Sequence, residues 1–98
     1  MQRNETLRIL AANREALKAF SVKSLAIFGS VARDEAAETS DVDILVEFAG
    51  DRPVGLLLFI RLKQFLEDLL GCRVDLATPA ALREGMRDRI LKEAIHAA

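Results

Sequence analysis

Asp41 and Asp43 stand one residue apart at the head of the apolar run Val42–Phe48, and ten residues separate them from the pair Gly29-Ser30. In an extended chain, residues i and i+2 project from the same face, about 6.5–7 Å apart. The two carboxylates therefore point together, away from the face that carries Val42, Ile44 and Val46. The same parity applied to Arg73–Ala77 sets Asp75 opposite Val74 and Leu76. If both runs bury their branched faces, all three acids emerge on one open face. No Lys or Arg lies within two residues of Asp41 or Asp43 to neutralise them. Like charges held close raise one another's pKa and strain the fold unless a cation shares them. Oxygen-only ligands suit Mg2+, with Mn2+ as the alternative, and two such ions about 3.5–4 Å apart would form a clamp for in-line phosphoryl displacement. Zinc is a poor match for a chain with one histidine, His96, and one cysteine, Cys72.

Gly29-Ser30 offers the complementary half. The glycine allows a sharp turn and a close backbone approach. Backbone N–H groups after it, together with the Ser30 hydroxyl, make a local anion site that needs no net positive charge. Arg33, three residues beyond Ser30, either reaches a phosphate or pairs with Asp34 or Glu35. A phosphate cradle facing an acid cluster that holds metal is a design for nucleotidyl transfer.

Positioning these groups requires strands and turns in a fixed order. Leu7, Ile9, Leu10, Ala11, Leu17 and Phe20 recur at helical steps, which predicts one amphipathic helix over Asn4–Phe20, capped by Asn4. Val22–Phe28 reads as a short strand ended by Gly29, and Val31–Ala37 as a short helix. Ser40–Phe48 alternates cleanly and is the best strand, followed by a turn over Ala49–Pro53. Gly55–Leu70 is a long helix that Gly71 ends in the left-handed conformation. Its run from Leu56 to Leu70 is too apolar for one wet face, so it is either central to the core or covered by a partner. Arg73–Ala77 is the third strand. Thr78-Pro79 opens a last helix with Leu82, Met86, Ile90 and Ile95 as its apolar stripe and His96 in its final turn. The expected architecture is α/β: a small mixed three-stranded sheet with helices packed on one face.

Composition bounds the rest. Ninety-eight residues suit one core and a single domain over 1–98. The balance, 51% hydrophobic and 30% charged, is that of a globular chain. A net charge of −1, with no Trp or Tyr for base stacking, disfavours direct nucleic-acid binding. The lone Cys72 reads as a small buried hydrophobe, and the absence of a signal-like N-terminus or membrane span points to the cytoplasm.

The string Gly29-Ser30-Val31-Ala32-Arg33 with Ser40-Asp41-Val42-Asp43-Ile44-Leu45-Val46 resembles the signature of the DNA-polymerase-β-type nucleotidyltransferase superfamily, and most closely the minimal nucleotidyltransferases of prokaryotes. The resemblance spans the chain. It implies that Asp41 and Asp43 bind the divalent ions, that Asp75 completes the metal site or activates the attacking hydroxyl, and that Gly29-Ser30 holds the triphosphate of ATP. It further implies an antitoxin that forms a hetero-oligomer with an HEPN-domain ribonuclease toxin and transfers AMP to a tyrosine of that toxin. One departure is Asp34, where many relatives carry glycine. Two alternatives stay open: an antitoxin that masks the toxin without catalysis, and a nucleotidyltransferase for another acceptor. An intact acid trio favours the catalytic antitoxin over the masking one.

Overall fold

Burial of branched side chains organises the sheet. Val42, Ile44 and Val46, with Val74 and Leu76, Leu25 and Ile27, form the sheet side of the core; Leu10, Leu17, Leu62, Leu66 and Leu70 form its helical side. The computed structural model describes residues 2–35, 41–50 and 54–98. The elements run α1 (Arg3–Ala12), α2 (Arg14–Lys18), β1 (Val22–Phe28), α3 (Gly29–Ala32), β2 (Val42–Phe48), α4 (Leu56–Leu70), β3 (Val74–Ala77), a 3-10 turn (Pro79–Ala81), α5 (Glu84–Glu93) and β4 (Ile95–His96). The sheet order is β3-β2-β1-β4, with β2 parallel to β3 and β1 antiparallel to both β2 and β4. The expected mixed α/β sheet is present, with four strands rather than three. The ends of the helix read over Val31–Ala37 and of the turn over Ala49–Pro53, and Ser40 at the head of the central strand, lie outside the described residues.

Three local readings are corrected. The first helix starts at Arg3 with Gln2 as its cap, so Asn4 lies inside the first turn. It also breaks at Asn13, whose side-chain amide donates to the Ile9 carbonyl at 2.8 Å. A short polar side chain that bonds nearby backbone offers the chain an alternative to the helical ladder. Phe20 then packs its ring 5.1 Å from that of Phe65, tying this segment to α4. The last helix does not run from Pro79 through His96. A 3-10 turn and an extended Leu82-Arg83 precede α5, and Ala94 is extended again. Met86 and Leu91 are exposed and Ile90 alone of that stripe is fully buried. Ile95 and His96 instead pair with Ile27 and Ala26 as β4, and Leu25 exchanges hydrogen bonds with Ala97 and Ala98. The open edge of β1 needed backbone partners, and that demand outweighs helical propensity at the end of α5.

Gly71 ends α4 at φ +70, as expected. Within α4, Leu62, Leu66 and Leu70 are buried, whereas Leu56, Leu57 and Ile60 are exposed, so only one stripe of the helix is central to the core. Cys72 is partly buried against the core, which pushes its thiol pKa up. Among the described residues no helix is long and apolar enough to cross a membrane.

Candidate active site

Adjacent strands set the acids. β2 and β3 run in parallel with Asp43 and Asp75 in the same register, so their side chains leave one face from strands about 4.8 Å apart. The register is held at its start by Val42 N–H, which donates to the Arg73 carbonyl at 3.0 Å. Glu67 of α4 accepts from the Val74 N–H at 3.1 Å and fixes the head of β3. Asp41 and Asp75 are exposed and Asp43 is half-buried, so none of the three turns into the core. The half-buried Asp43 bears the strain. Burial first, then the charges of Asp75 and Asp41, push its carboxyl up to about 6, with Arg33 opposing and Glu93 adding to the rise.

On the other side of Asp43 stands the turn out of β1. Phe28 pairs with Asp43 across the antiparallel ladder, and Gly29 follows at φ +72. A Cβ on Gly29 would fall on the Asp43 carboxylate, 3.0 Å from its Cγ. No side chain other than hydrogen fits both that conformation and that contact, which is the physical content of the glycine in the motif. Ser30 follows it as the second residue of α3, and its carbonyl accepts from Glu35 N–H at 2.8 Å. Asp34, at φ +59, takes up the left-handed conformation that glycine would adopt without cost.

Glu93 is the site residue that sequence reasoning missed. Its carboxylate accepts from Gly29 N–H at 3.0 Å and from Arg33 Nη1 at 3.2 Å on both oxygens. Arg33 Nε also donates to Glu35 at 3.2 Å, so the guanidinium is held between two carboxylates and its pKa is raised by Glu35 and then Glu93. Of the two roles open to Arg33, the ion pair with Glu35 is present, joined by the unforeseen one with Glu93. One signal was available. Glu93 is the last residue of α5, where a negative charge opposes the helix dipole. A residue that local rules disfavour is often there for a tertiary reason. Drawing the helix on to His96 hid it.

The donor set fits Mg2+. Among the described residues no three acidic, histidine or cysteine side chains are gathered closely enough to hold one metal ion, so Asp41, Asp43 and Asp75 share a face without forming a three-ligand set. Mg2+ in phosphoryl-transfer sites is held by one or two carboxylates, with water and substrate phosphate completing the shell. Asp43 and Asp75 in one register, with Asp41 raising the local negative charge, supply that arrangement and a carboxyl whose raised pKa a cation would relieve. A cavity of about 590 Å3 lies elsewhere, at the far end of β2 between Phe48, Val54, Phe59 and Leu76. Among the described residues its lining holds no ionisable group, so it offers none of the acids that the β2–β3 face presents.

Comparison with known proteins follows the same lines. Residues 8–97 match the nucleotidyltransferase domain family. The protein adenylyltransferase MntA of Thermococcus cleftensis is 44% identical over 89 residues, 90% of this chain and 88% of that one. A solved structure assigned as a minimal nucleotidyltransferase is 39% identical and superposes with a TM-score of 0.80 over 97% of this chain and 95% of the other. The complex of tri-AMPylated Shewanella oneidensis HEPN toxin with MNT antitoxin shares the fold at 17% identity, with a TM-score of 0.59 over 91% of this chain and 71% of that one.

Proposed function

We propose that this chain, which belongs to the nucleotidyltransferase domain family, is a Mg2+-dependent protein adenylyltransferase that moves AMP from ATP to a tyrosine of an HEPN-type ribonuclease toxin and thereby acts as its antitoxin in the cytoplasm. The observation that carries the reading is the shared register of Asp43 and Asp75 with the Gly29 backbone packed against Asp43. Asp41 and Asp43 hold the divalent ions and Asp75 completes the set beside the incoming hydroxyl. When bound, Mg2+ supplies charge neutralisation across the phosphates and the developing negative charge. Gly29 and Ser30 seat the triphosphate, with Arg33 at its flank. The phenolic oxygen of the acceptor bonds to the α-phosphorus while the bond from that phosphorus to the bridging oxygen breaks. Pyrophosphate leaves, and the phenolic proton passes by way of Asp75 to water.

The test is intact-mass measurement of the partner toxin after incubation with ATP and Mg2+. A gain of AMP units on tyrosine is expected. The double variant Asp41→Asn with Asp43→Asn should abolish the gain, by about a thousandfold or more, while still binding the toxin. A double variant that neutralised the toxin fully in cells would make masking the better account.

A further inference from the structure

Two sides of Asp43 differ in what they can admit. On the β1 side, Gly29 and Ser30 are the seat proposed for the triphosphate. On the β3 side, a cleft of about 290 Å3 opens between the start of β3 and α4, lined by Asp41, Lys63, Glu67, Arg73, Val74 and Asp75. In-line displacement needs the attacking oxygen and the leaving pyrophosphate on opposite sides of the α-phosphorus. With the triphosphate seated toward β1, the acceptor hydroxyl must arrive over Asp75, through this cleft.

The cleft carries two cations of its own. Lys63 on α4 and Arg73 at the head of β3 are both exposed, and neither is part of an ion pair among the described residues, where the bridges are Lys18–Glu15, Arg33–Glu35 and Arg33–Glu93. Glu67, the acid nearest in sequence to Lys63 on this helix face, accepts from the Val74 N–H through Oε2 and forms no ion pair with Lys63. The cation that offsets Asp43 is Arg33, on the far side. Lys63 and Arg73 are thus positive groups beside Asp41 and Asp75, with no carboxylate bonded to them among the described residues. An acceptor with no charge would gain nothing from them, whereas acidic side chains that reach Lys63 and Arg73 would find a partner there.

We infer that Lys63 and Arg73 make this cleft an acceptor subsite, selecting a protein segment in which the target tyrosine is flanked by acidic side chains. This rests on the adenylyltransferase reading and adds the specificity of its second substrate. Rim charges of this kind act on encounter and affinity and are weakened by salt.

The test uses the whole chain, ATP, Mg2+ and the partner toxin as acceptor, with wild type compared against Lys63→Gln with Arg73→Gln. The double variant should raise the KM for the toxin at least about fivefold and leave the KM for ATP within about twofold. Wild-type KM for the toxin should climb as NaCl goes from about 50 to about 300 mM, and that of the variant should climb less. Two tyrosine peptides that differ only in flanking Glu or Gln, used as competitors, should show the Glu form inhibiting wild type better and losing that advantage in the variant. An unchanged KM for the toxin, equal inhibition by both peptides, or a KM for ATP that rises in step overturns the inference, the last by assigning the cations to nucleotide phosphate. Wild type that transfers AMP to no acceptor sinks the adenylyltransferase reading itself, and this inference with it.

Discussion

The β1 flank of Asp43 is locked and the β3 flank is open. On the first, Gly29 N–H and the Arg33 guanidinium meet Glu93, and Arg33 also meets Glu35. On the second, Asp75 and Arg73 stand exposed at the head of an edge strand. The contrast matches the two substrates of a transfer reaction. A nucleotide is invariant and rewards a rigid seat, because preorganised groups cost nothing to arrange during reaction. A protein acceptor arrives as a large surface and needs room.

Gly29→Ala should break the locked flank most severely. The left-handed backbone and the contact with the Asp43 carboxyl both exclude a methyl group, so a destabilisation of about 1–3 kcal/mol is expected. AMP transfer should fall by about a hundredfold or more, since the carboxylate itself must move aside. Urea unfolding with single-turnover transfer checks both, and a variant that keeps wild-type transfer would show the flank to be soft. Glu93→Ala should cost less, about 1–2 kcal/mol, by leaving Gly29 N–H and Arg33 without their shared partner. Glu93→Gln should recover the bond to Gly29 but not the ion pair, and so restore most of the stability.

The smallest effect concerns Asp43 in metal-free protein. Its folded pKa, about 6, lies above the ordinary value of 3.8, so folding favours its protonated form. Stability from this group is fully present below about pH 4 and is lost as pH rises through about 6. Asp43→Asn should therefore melt higher than wild type at about pH 8 in EDTA, with the gain shrinking between about pH 6 and 4. Added Mg2+ should raise the wild-type melting temperature and leave the variant unmoved. A gain that did not change with pH would show that packing rather than charge sets the difference.

What the sequence made legible followed from period and spacing. Strand alternation alone put Asp41 and Asp43 on one face and Asp75 on the matching face of β3, and the register of β2 with β3 aligned the second and third of them. Gly29 was readable as a close-approach position because only backbone freedom explains a glycine at that turn. The partners of Glu93 were not readable, because they lie 60 and 64 residues away in the chain, and its one local signal, an acid at a helix end, shows only once α5 is ended there. β4 was hidden for the same reason: Ile95 and His96 have no local preference that competes with continuing a helix, and the open edge of β1 decided the matter. Asn13 shows the opposite failure. Its local bond to Ile9 interrupts a hydrophobic pattern that continues undisturbed on both sides.

A sheet whose outer strands are long and apolar invites a second molecule to dock along its free backbone and polymerise. Here the outer strands are β3, with four residues, and β4, with two. The longer of them begins after Arg73 and bears Asp75 on its exposed face. The charge of Asp75 and Arg73 therefore also guards the rim against amyloid-like addition, and a variant that neutralises it should lose solubility.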